Sequence, residues 1–322
     1  MLRNLQSSHK TVIFIVVFIL FLWLIFQVKD ILLMFFVATI LMSAMSPAVD
    51  KMESLRIPRS IGIFIMYVLL WGVVGTLVAV IVPAVIDQTS QLIQTLPSAL
   101  SRVEYLSSHQ QEISQQLISY LSTLPSDILK FIVNVFGNVI TVLTTVVISF
   151  YLLLEHKKLN TNIAKLLDPQ KSESISKTIE AIELRLGGWV RGELILMISI
   201  GVFTYIGLTI LGIDIALPLA ILAGLMEIVP NIGPIVSAVP AVLIALTVHP
   251  LLALSTAALY FLIQFLENNL LVPKVMQKSA GVHPLVSILA LLVGFRLLGP
   301  MGTILSIPFV IIIQVIIERH RV

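Results

Sequence analysis

The chain has 322 residues, of which 58% are hydrophobic and only 11% are charged. So little polar surface cannot cover a water-soluble globule of this size, which excludes the soluble classes and makes lipid the expected solvent. The chain contains no cysteine, which also excludes disulfides, thiolate metal sites and cysteine nucleophiles. The formal net charge is +3, so the positions of the charges are more informative than their sum.

Six apolar segments have about the 20 residues that a transmembrane helix needs. An apolar run after Arg3 and Lys10 has no small-residue cleavage site behind it, so we interpret it as a retained anchor and not as a signal peptide. We therefore predict an all-α, polytopic integral membrane protein. The six predicted full spans are 11–28, 31–49, 60–82, 131–154, 194–211 and 251–272.

Polar stretches between these spans divide the chain into five predicted regions. Residues 1–84 should form three transmembrane helices, and residues 131–154 a further one. The Gln- and Ser-rich residues 85–130 are predicted as extracytoplasmic amphipathic helices, because their apolar residues recur at helical spacing. Residues 155–192 are lysine-rich and are predicted as cytoplasmic linker helices. The remaining residues, 193–322, should form the transport core.

Two apolar segments, 215–248 and 284–317, are too long for one straight span. Each would extend roughly 50 Å as a continuous helix, whereas the hydrocarbon core is about 30 Å thick. Pro230, Gly233 and Pro234 interrupt the first segment, and Gly299 and Pro300 interrupt the second. Because proline and glycine break a helix, we predict two re-entrant helical hairpins.

The basic residues predict an orientation. With both hairpins in place, only Lys29, Arg102 and Lys130 fall on the outer side, Arg296 falls within the membrane, and the other Lys and Arg residues face the cytoplasm. This asymmetry is typical of a multi-pass inner-membrane protein whose N- and C-termini are both cytoplasmic.

The two hairpins, each with the span before it, have the arrangement of an inverted repeat. The residue shift that places Pro218 on Pro284 also places Gly233 on Gly299. Inverted repeats with broken helices are a recurrent design of secondary transporters, because half-helix ends can bind a substrate or ion near the midplane.

Three charged side chains, Glu227, Glu267 and Arg296, fall inside the apolar segments, where facing lipid would cost each of them ~2.5–3.5 kcal/mol. One interpretation is a binding or proton-coupling site. The other is a structural ion pair of Arg296 with a glutamate that pins the hairpins. The candidate substrate or ion site comprises Glu227, Pro230, Asn231, Gly233, Pro234, Glu267, Asn268, Asn269, Arg296, Gly299 and Pro300.

Sequence signatures of catalysis are absent. The chain has no His-Glu-x-x-His, no Gly-x-Ser-x-Gly and no P-loop, which argues against an intramembrane protease and against a primary ATP-driven pump. We therefore expect a protein that is not an enzyme, with no catalytic residue, no metal site and no cofactor.

Three stretches of the chain resemble the autoinducer-2 exporter family of prokaryotic membrane proteins. Residues 191–193, Arg-Gly-Glu, are similar to the family's Arg-Gly-Gln, and residues 228–234 are similar to its Ile-Pro-x-Ile-Gly-Pro hairpin tip. Residues 267–274 with 281–285 resemble its Glu-Asn-x-x-Leu-x-Pro and Gly-x-His-Pro. Glu193 departs from the family's glutamine, which changes the polarity expected at the cytoplasmic mouth.

The resemblance implies a homo-oligomer, with a pentamer among the expected states, that exports a small molecule such as the quorum-sensing signal autoinducer-2. Some relatives are described as sodium/proton antiporters, so cation/proton antiport is the alternative. A third hypothesis, of another class, is a non-transporting scaffold or regulator that docks partners on 85–130 and 155–192. The expected partners are the lipid bilayer and a small molecule or cation, and not a nucleic acid.

Overall fold

A computed structural model describes residues 2–100, 115–116, 118–119, 122–123, 126, 130, 133, 137–166, 169–230, 232–276 and 282–320. These residues form helices and no strand, which confirms the all-α class. Among them, six helices are long and apolar enough to cross a membrane. The helices are α1 Leu2–Ser54, α2 Arg59–Leu100, α3 Val139–Leu166, α4 Pro169–Ile210, α5 Ala216–Met226, α6 Ile232–Val248, α7 Pro250–Leu266, a π-helical turn Glu267–Leu271, α8 Val272–Met276 and α9 Pro284–His320.

The N-terminal region differs from the prediction, because α1 is one helix of 53 residues where two spans were expected. Lys29 and Asp30 separate the two apolar runs, but neither is a glycine or a proline, so the charged pair does not end the helix. Residues 1–84 therefore contain parts of two helices and not three. At 1.5 Å per residue α1 is about 80 Å long, well beyond the thickness of one hydrocarbon core.

The polar regions also differ from the prediction, because helices run on past the apolar boundaries. Helix α2 passes residue 84 and ends at Leu100, α3 continues to Leu166, and α4 runs without a break from Pro169 to Ile210. Gln, Glu, Lys and Leu are all good helix formers, so a fall in hydropathy does not end a helix. The predicted amphipathic helices between residues 101 and 114 lie outside the described residues.

Helices α1, α2 and α3 pack around one apolar core of Met42, Met45, Val49, Ile63, Tyr67 and Leu153. A charged layer closes one end of this core. Arg59 donates to Asp50 at 2.6 Å, to Glu53 at 2.7 Å and to the carbonyl of Leu153 at 2.7 Å. Beside it, His156 of α3 contacts Glu183 of α4 at 2.8 Å. We call Asp50, Glu53, Arg59, His156 and Glu183 the charged layer.

Residues 215–248 fold into a helical hairpin whose arms are α5 and α6. Ala216 at the start of α5 and Ala245 near the end of α6 belong to one buried cluster, together with Leu208 of α4 and Ala253 of α7. Both ends of the hairpin therefore lie at the same end of the α4 and α7 helices. With 11 and 17 residues, the arms are about 16 and 26 Å long, shorter than the hydrocarbon core.

The second hairpin is contained in α9, which folds back on itself at Gly299 (φ 62°, ψ −146°). A Cβ added at Gly294 would collide with the backbone of Gly302 and with Ser306 Oγ. Gly294 and Gly302 would stand about 12 Å apart in a straight helix, so their contact shows two antiparallel arms. The positive φ explains the glycine at position 299. Re-entry of either hairpin from one membrane side, and the inverted repeat, stay predictions.

Candidate functional site

Three glutamates from three different elements meet inside the helical layer. Glu193 belongs to α4, Glu227 follows the last residue of α5, and Glu267 opens the π-helical turn. Their exposed fractions are 4%, 1% and 2%. We call Glu193, Glu227 and Glu267 the glutamate cluster. Carboxyl groups are almost never buried this completely unless something compensates their charge, so the cluster is the strongest candidate for a functional site.

The carboxyl groups of the cluster lie near enough to interact electrostatically, Glu227 with both Glu193 and Glu267, and Glu193 with Glu267. The one donor bound to the cluster in the described residues is Gln264, whose Nε2 donates to Glu267 Oε2 at 2.9 Å. Both carboxyl oxygens of Glu227 and Oε1 of Glu193 accept no hydrogen bond from a described residue. Like charges buried together disfavour ionisation of all the groups at once, so a bound proton or cation would stabilise the cluster.

A close approach of α4 and α5 positions Glu227. A Cβ added at Gly224 would touch the carbonyl of Met197 and the backbone of Gly201, so only glycine allows the helices this near. Gly233 has the same role across the hairpin turn, because its Cβ would overlap the carbonyl of Met226. The glycines therefore fix the turn that places Glu227 at the end of α5.

A change of helix type positions Glu267. The segment Glu267–Leu271 is π-helical, between the α-helical turns of α7 and α8. Such single π turns are rare and occur often at functional sites. Glu267 is turned into the protein, whereas Asn268 and Asn269 are exposed, and Asn269 Nδ2 donates to the carbonyl of Phe265 at 2.8 Å. The two asparagines are therefore not part of the buried cluster.

The cluster lies deep within the helices. Along α4, Glu193 is ten residues beyond Glu183 of the charged layer and seventeen residues before Ile210. These separations correspond to about 15 Å and 26 Å of helix. A membrane whose one face lies at the charged layer would therefore hold Glu193 well inside its core of about 30 Å.

No cation of the described part of the chain compensates the cluster. Arg296, the predicted structural partner, is exposed on the first arm of α9, and it forms none of the ion pairs found among the described residues. Among the described residues, Arg296 therefore forms no pair with a glutamate. Buried carboxylates without a counter-charge carry desolvation costs of several kcal/mol each, which a bound proton or cation would remove.

The remaining predicted site residues divide into two groups. Pro230 lies in the first hairpin turn beside Glu227, Gly233 and Pro234 lie in the first turn of α6, and Asn231 lies outside the described residues. Gly299 and Pro300 form the turn of the second hairpin. No hydrogen bond or ion pair of the described residues joins that second turn to the cluster. Also within the described residues, no three His, Cys, Asp or Glu side chains are arranged to hold a metal ion.

Glu193 belongs to the cluster but was not among the predicted site residues. Its signal in the sequence was the glutamate in Arg191-Gly192-Glu193, where the resembled family has glutamine. The substitution adds a third carboxyl group next to the two in the apolar segments. Sequence reasoning missed its role because Glu193 precedes the predicted span and meets the others only in the folded chain.

Comparisons with known proteins agree with this architecture. The sequence profile of the AI-2E family transporters matches residues 12–321. The putative transport protein YueF of Bacillus subtilis is 29% identical over 300 residues, which cover 86% of this chain and 81% of the relative. The AI-2 transport protein TqsA of Escherichia coli is 25% identical over 301 residues, with 90% and 86% covered.

A shorter match is the putative transport protein YhhT of Escherichia coli, 34% identical over 122 residues, which cover 38% of this chain and 35% of the relative. Multiple apolar helices, broken helices and buried charge define a polytopic membrane transporter. The profile spans nearly the whole chain, so the chain belongs to the AI-2E transporter family.

Proposed function

We propose that the chain is a secondary transporter whose glutamate cluster couples solute movement to the movement of protons or a cation. One observation carries the proposal, namely that Glu193, Glu227 and Glu267 are buried together without a cationic partner among the described residues. Such a cluster can exist with a proton or cation bound, and it can release that ion when a conformational change opens it to water. Alternation between these states is what a coupled transporter needs.

The first hairpin supplies the element that would move. Glu227 stands on the turn between two short arms, and its oxygens have no hydrogen-bond donor among the described residues that would hold them in place. A shift of this turn changes the distance from Glu227 to Glu267 without unfolding α4 or α7. We therefore assign Glu227 the mobile role and Glu267, held by Gln264, the fixed role.

Two solutes fit this coupling. Export of a small polar molecule is supported by the relative named AI-2 transport protein. Cation/proton antiport is the alternative, because carboxylate oxygens are ligands for hard cations. The cluster would have to rearrange to hold a cation, since the described carboxyl groups are not arranged as a metal site. Flux into proteoliposomes under imposed gradients distinguishes the two, with autoinducer-2, sodium and protons as the probes. Absence of flux for all three would favour the scaffold hypothesis.

The remaining assignments are proposals of the same kind. We place the chain in the inner membrane as a homo-oligomer, a pentamer among the states considered, with cytoplasmic termini. The charged layer would then face the cytoplasm, in agreement with the lysine-rich residues that follow His156. No catalytic step, cofactor or nucleic acid has a part in this function.

The test of the coupling role is the substitution Glu267→Gln, which keeps the size of the side chain and removes its titratable charge. We expect normal assembly together with the loss of transport or of its pH dependence. The matched control is Glu173→Gln, because Glu173 is exposed and pairs only with Lys177 on α4, and it should leave transport unchanged. A Glu267→Gln protein with full flux and an unaltered pH response would contradict the assignment.

A further inference from the structure

Two buried hydroxyl groups lie between the glutamate cluster and one end of the helices. Thr204 of α4 is fully buried, and Tyr260 of α7 is 7% exposed. Neither Thr204 Oγ1 nor the Tyr260 hydroxyl has a hydrogen-bond partner among the described residues. A buried hydroxyl without a partner destabilises the fold, so a threonine and a tyrosine here need a partner, such as bound water, that valine and phenylalanine would not need.

The two hydroxyls belong to the same part of the fold. Ile200 and Leu208 of α4 pack in one cluster with Tyr260 and Ile263 of α7. A Cβ added at Gly207 would collide with the side chain of Leu259, which shows how closely α4 and α7 approach each other at this level. Thr204 and Tyr260 therefore lie in a mainly apolar core, and they differ from the buried hydroxyls of Ser237 in α6 and Thr256 in α7, which donate to backbone carbonyls.

A polar row on α7 leads from Tyr260 to the cluster. Tyr260, Gln264 and Glu267 follow one another at steps of four and three residues, which places them on one helical face. Gln264 Nε2 donates to Glu267, while Gln264 Oε1 is buried and has no partner. The row covers about 10 Å of helix, and each of its members has a polar atom that can bind water.

The direction of this row is away from the charged layer. On α4, Thr204 stands eleven residues beyond Glu193, towards Ile210. On α7, Tyr260 stands seven residues before Glu267, towards Pro250. Helix α4 leads into α5 after Ile210, and α7 follows α6 at Pro250, so both ends stand where the two arms of the first hairpin begin and finish. We call this the far end, since the charged layer lies at the other.

We propose that Tyr260, Gln264 and Thr204 are positioning residues that hold a file of water molecules, and that this file is the proton route from the far end to the glutamate cluster. Buried waters typically make about three hydrogen bonds to otherwise unsatisfied polar groups, and these three side chains supply such groups. A hydroxyl accepts a proton from the water on one side and donates its own to the water on the other. It ends unchanged, while one carboxylate of the cluster becomes a carboxyl.

Few titratable groups face this route. Helices α5, α6 and α7 contain no Asp, Glu, Lys, Arg or His, and within α4 beyond Arg191 the only one is Glu193. Asp214 and His249 are exposed at the far end, and Asp87 is exposed on α2, which packs against α5 and α6. Among the described residues, protons that travel along the route therefore have Glu193, Glu227 and Glu267 as their buried carboxyl acceptors.

The inference rests on the proposed function, and its test is chosen to separate the two. Dicyclohexylcarbodiimide reacts with protonated carboxyl groups in apolar surroundings, so the mass added at Glu267 reports the protonation of the cluster without any solute. The full-length protein is labelled in right-side-out and in inverted membrane vesicles, with opposite pH on the two sides. In the wild type the labelling rate should follow the pH at the far end, by up to about tenfold for each pH unit.

In Tyr260→Phe, which removes only the hydroxyl, labelling should lose most of its response to the pH at the far end and follow the pH at the charged layer. Thr204→Val should act in the same direction, and both variants should have a thermal stability close to that of the wild type, because each replacement keeps the shape of the side chain. The matched controls are Tyr205→Phe and Thr209→Val, since both residues are exposed on α4, and they should label like the wild type.

The possible outcomes separate the proton route from the proposed function. Wild-type labelling that follows only the pH at the charged layer overturns the proton route and leaves the coupling role of the cluster standing. Labelling in Tyr260→Phe and Thr204→Val that equals the wild type overturns the route as well. Labelling that responds to neither pH contradicts the proposed function itself, because the cluster then exchanges no protons with either side.

Discussion

Replacing Gly233 by alanine should displace Glu227, because the hairpin turn has no room for a side chain at that position. The added Cβ would overlap the carbonyl oxygen of Met226 and would lie 3.1 Å from the backbone nitrogen of Glu227. Both neighbours are backbone atoms, so no rotamer change can relieve the contact. The turn must shift, and Glu227 must shift with it.

The magnitude follows from comparison with a second glycine. Overpacking of a well-packed region costs about 1–3 kcal/mol, whereas alanine gains roughly 1 kcal/mol over glycine in a helix where space is free. Gly75 of α2 has no heavy atom within 4 Å of its added Cβ, so Gly75→Ala should be neutral or stabilising. Gly233→Ala should be less stable than this control by about 1–3 kcal/mol.

The assay is thermal unfolding of both purified variants in one detergent, together with proteoliposome flux. Gly233→Ala should unfold several degrees below Gly75→Ala and lose most of its transport, while Gly75→Ala keeps the wild-type flux. Equal stability and equal flux in the two variants would refute the assignment of Gly233 to the turn. An equal loss of stability and flux in both variants would show that alanine is unfavourable at any helical glycine of this protein, and that the contact of Gly233 with Met226 is not the cause.

Three further predictions concern the packing of the second hairpin, the membrane side on which each helix connection lies, and the role of Glu193. Gly294→Ala should lower the free energy of unfolding by about 1–3 kcal/mol, because the added Cβ meets the backbone of the opposite arm of α9. A thermal stability equal to that of the wild type would contradict this. Cysteines at Asp214 and His249 should react with a membrane-impermeant maleimide from one side and a cysteine at Leu55 from the other, and labelling of Asp214 and His249 from opposite sides would contradict the hairpin model. Glu193→Gln should retain assembly and narrow the pH range of transport, and an unchanged pH profile would exclude Glu193 from coupling.

The hairpins could be predicted from the sequence because their evidence is local. A segment of 34 apolar residues is too long to span once, and a proline or glycine pair at its centre marks the break. The structure turns the chain at 227–231 and at Gly299, close to these residues. The termini of the long helices could not be predicted in this way, because hydropathy reports the lipid boundary and not the helix boundary.

Only part of the candidate site could be predicted, because its contacts are tertiary. Glu227 and Glu267 were identified by the cost of placing a charge in lipid, and the structure brings them together. The same rule selected Arg296, which lies exposed on an arm that packs elsewhere. Neither the distance between two helices nor the direction of a side chain follows from hydropathy. The alternative of an ion pair between Arg296 and one of these glutamates could therefore be excluded only in the folded chain.

The two hairpins, although similar in pattern, do not have the same chemistry. The first hairpin places Glu227 near the carboxyl groups of Glu193 and Glu267. It does so where Gly224 of α5 packs closely against Gly201 of α4. In the second hairpin, Gly294 packs against Gly302, and Arg296 is exposed. A repeat that alternated symmetrically would need a charged partner at both turns. The cluster instead draws its other two members from α4 and from the π-helical turn, so we infer that the first hairpin carries the coupling and that the second supports it through packing.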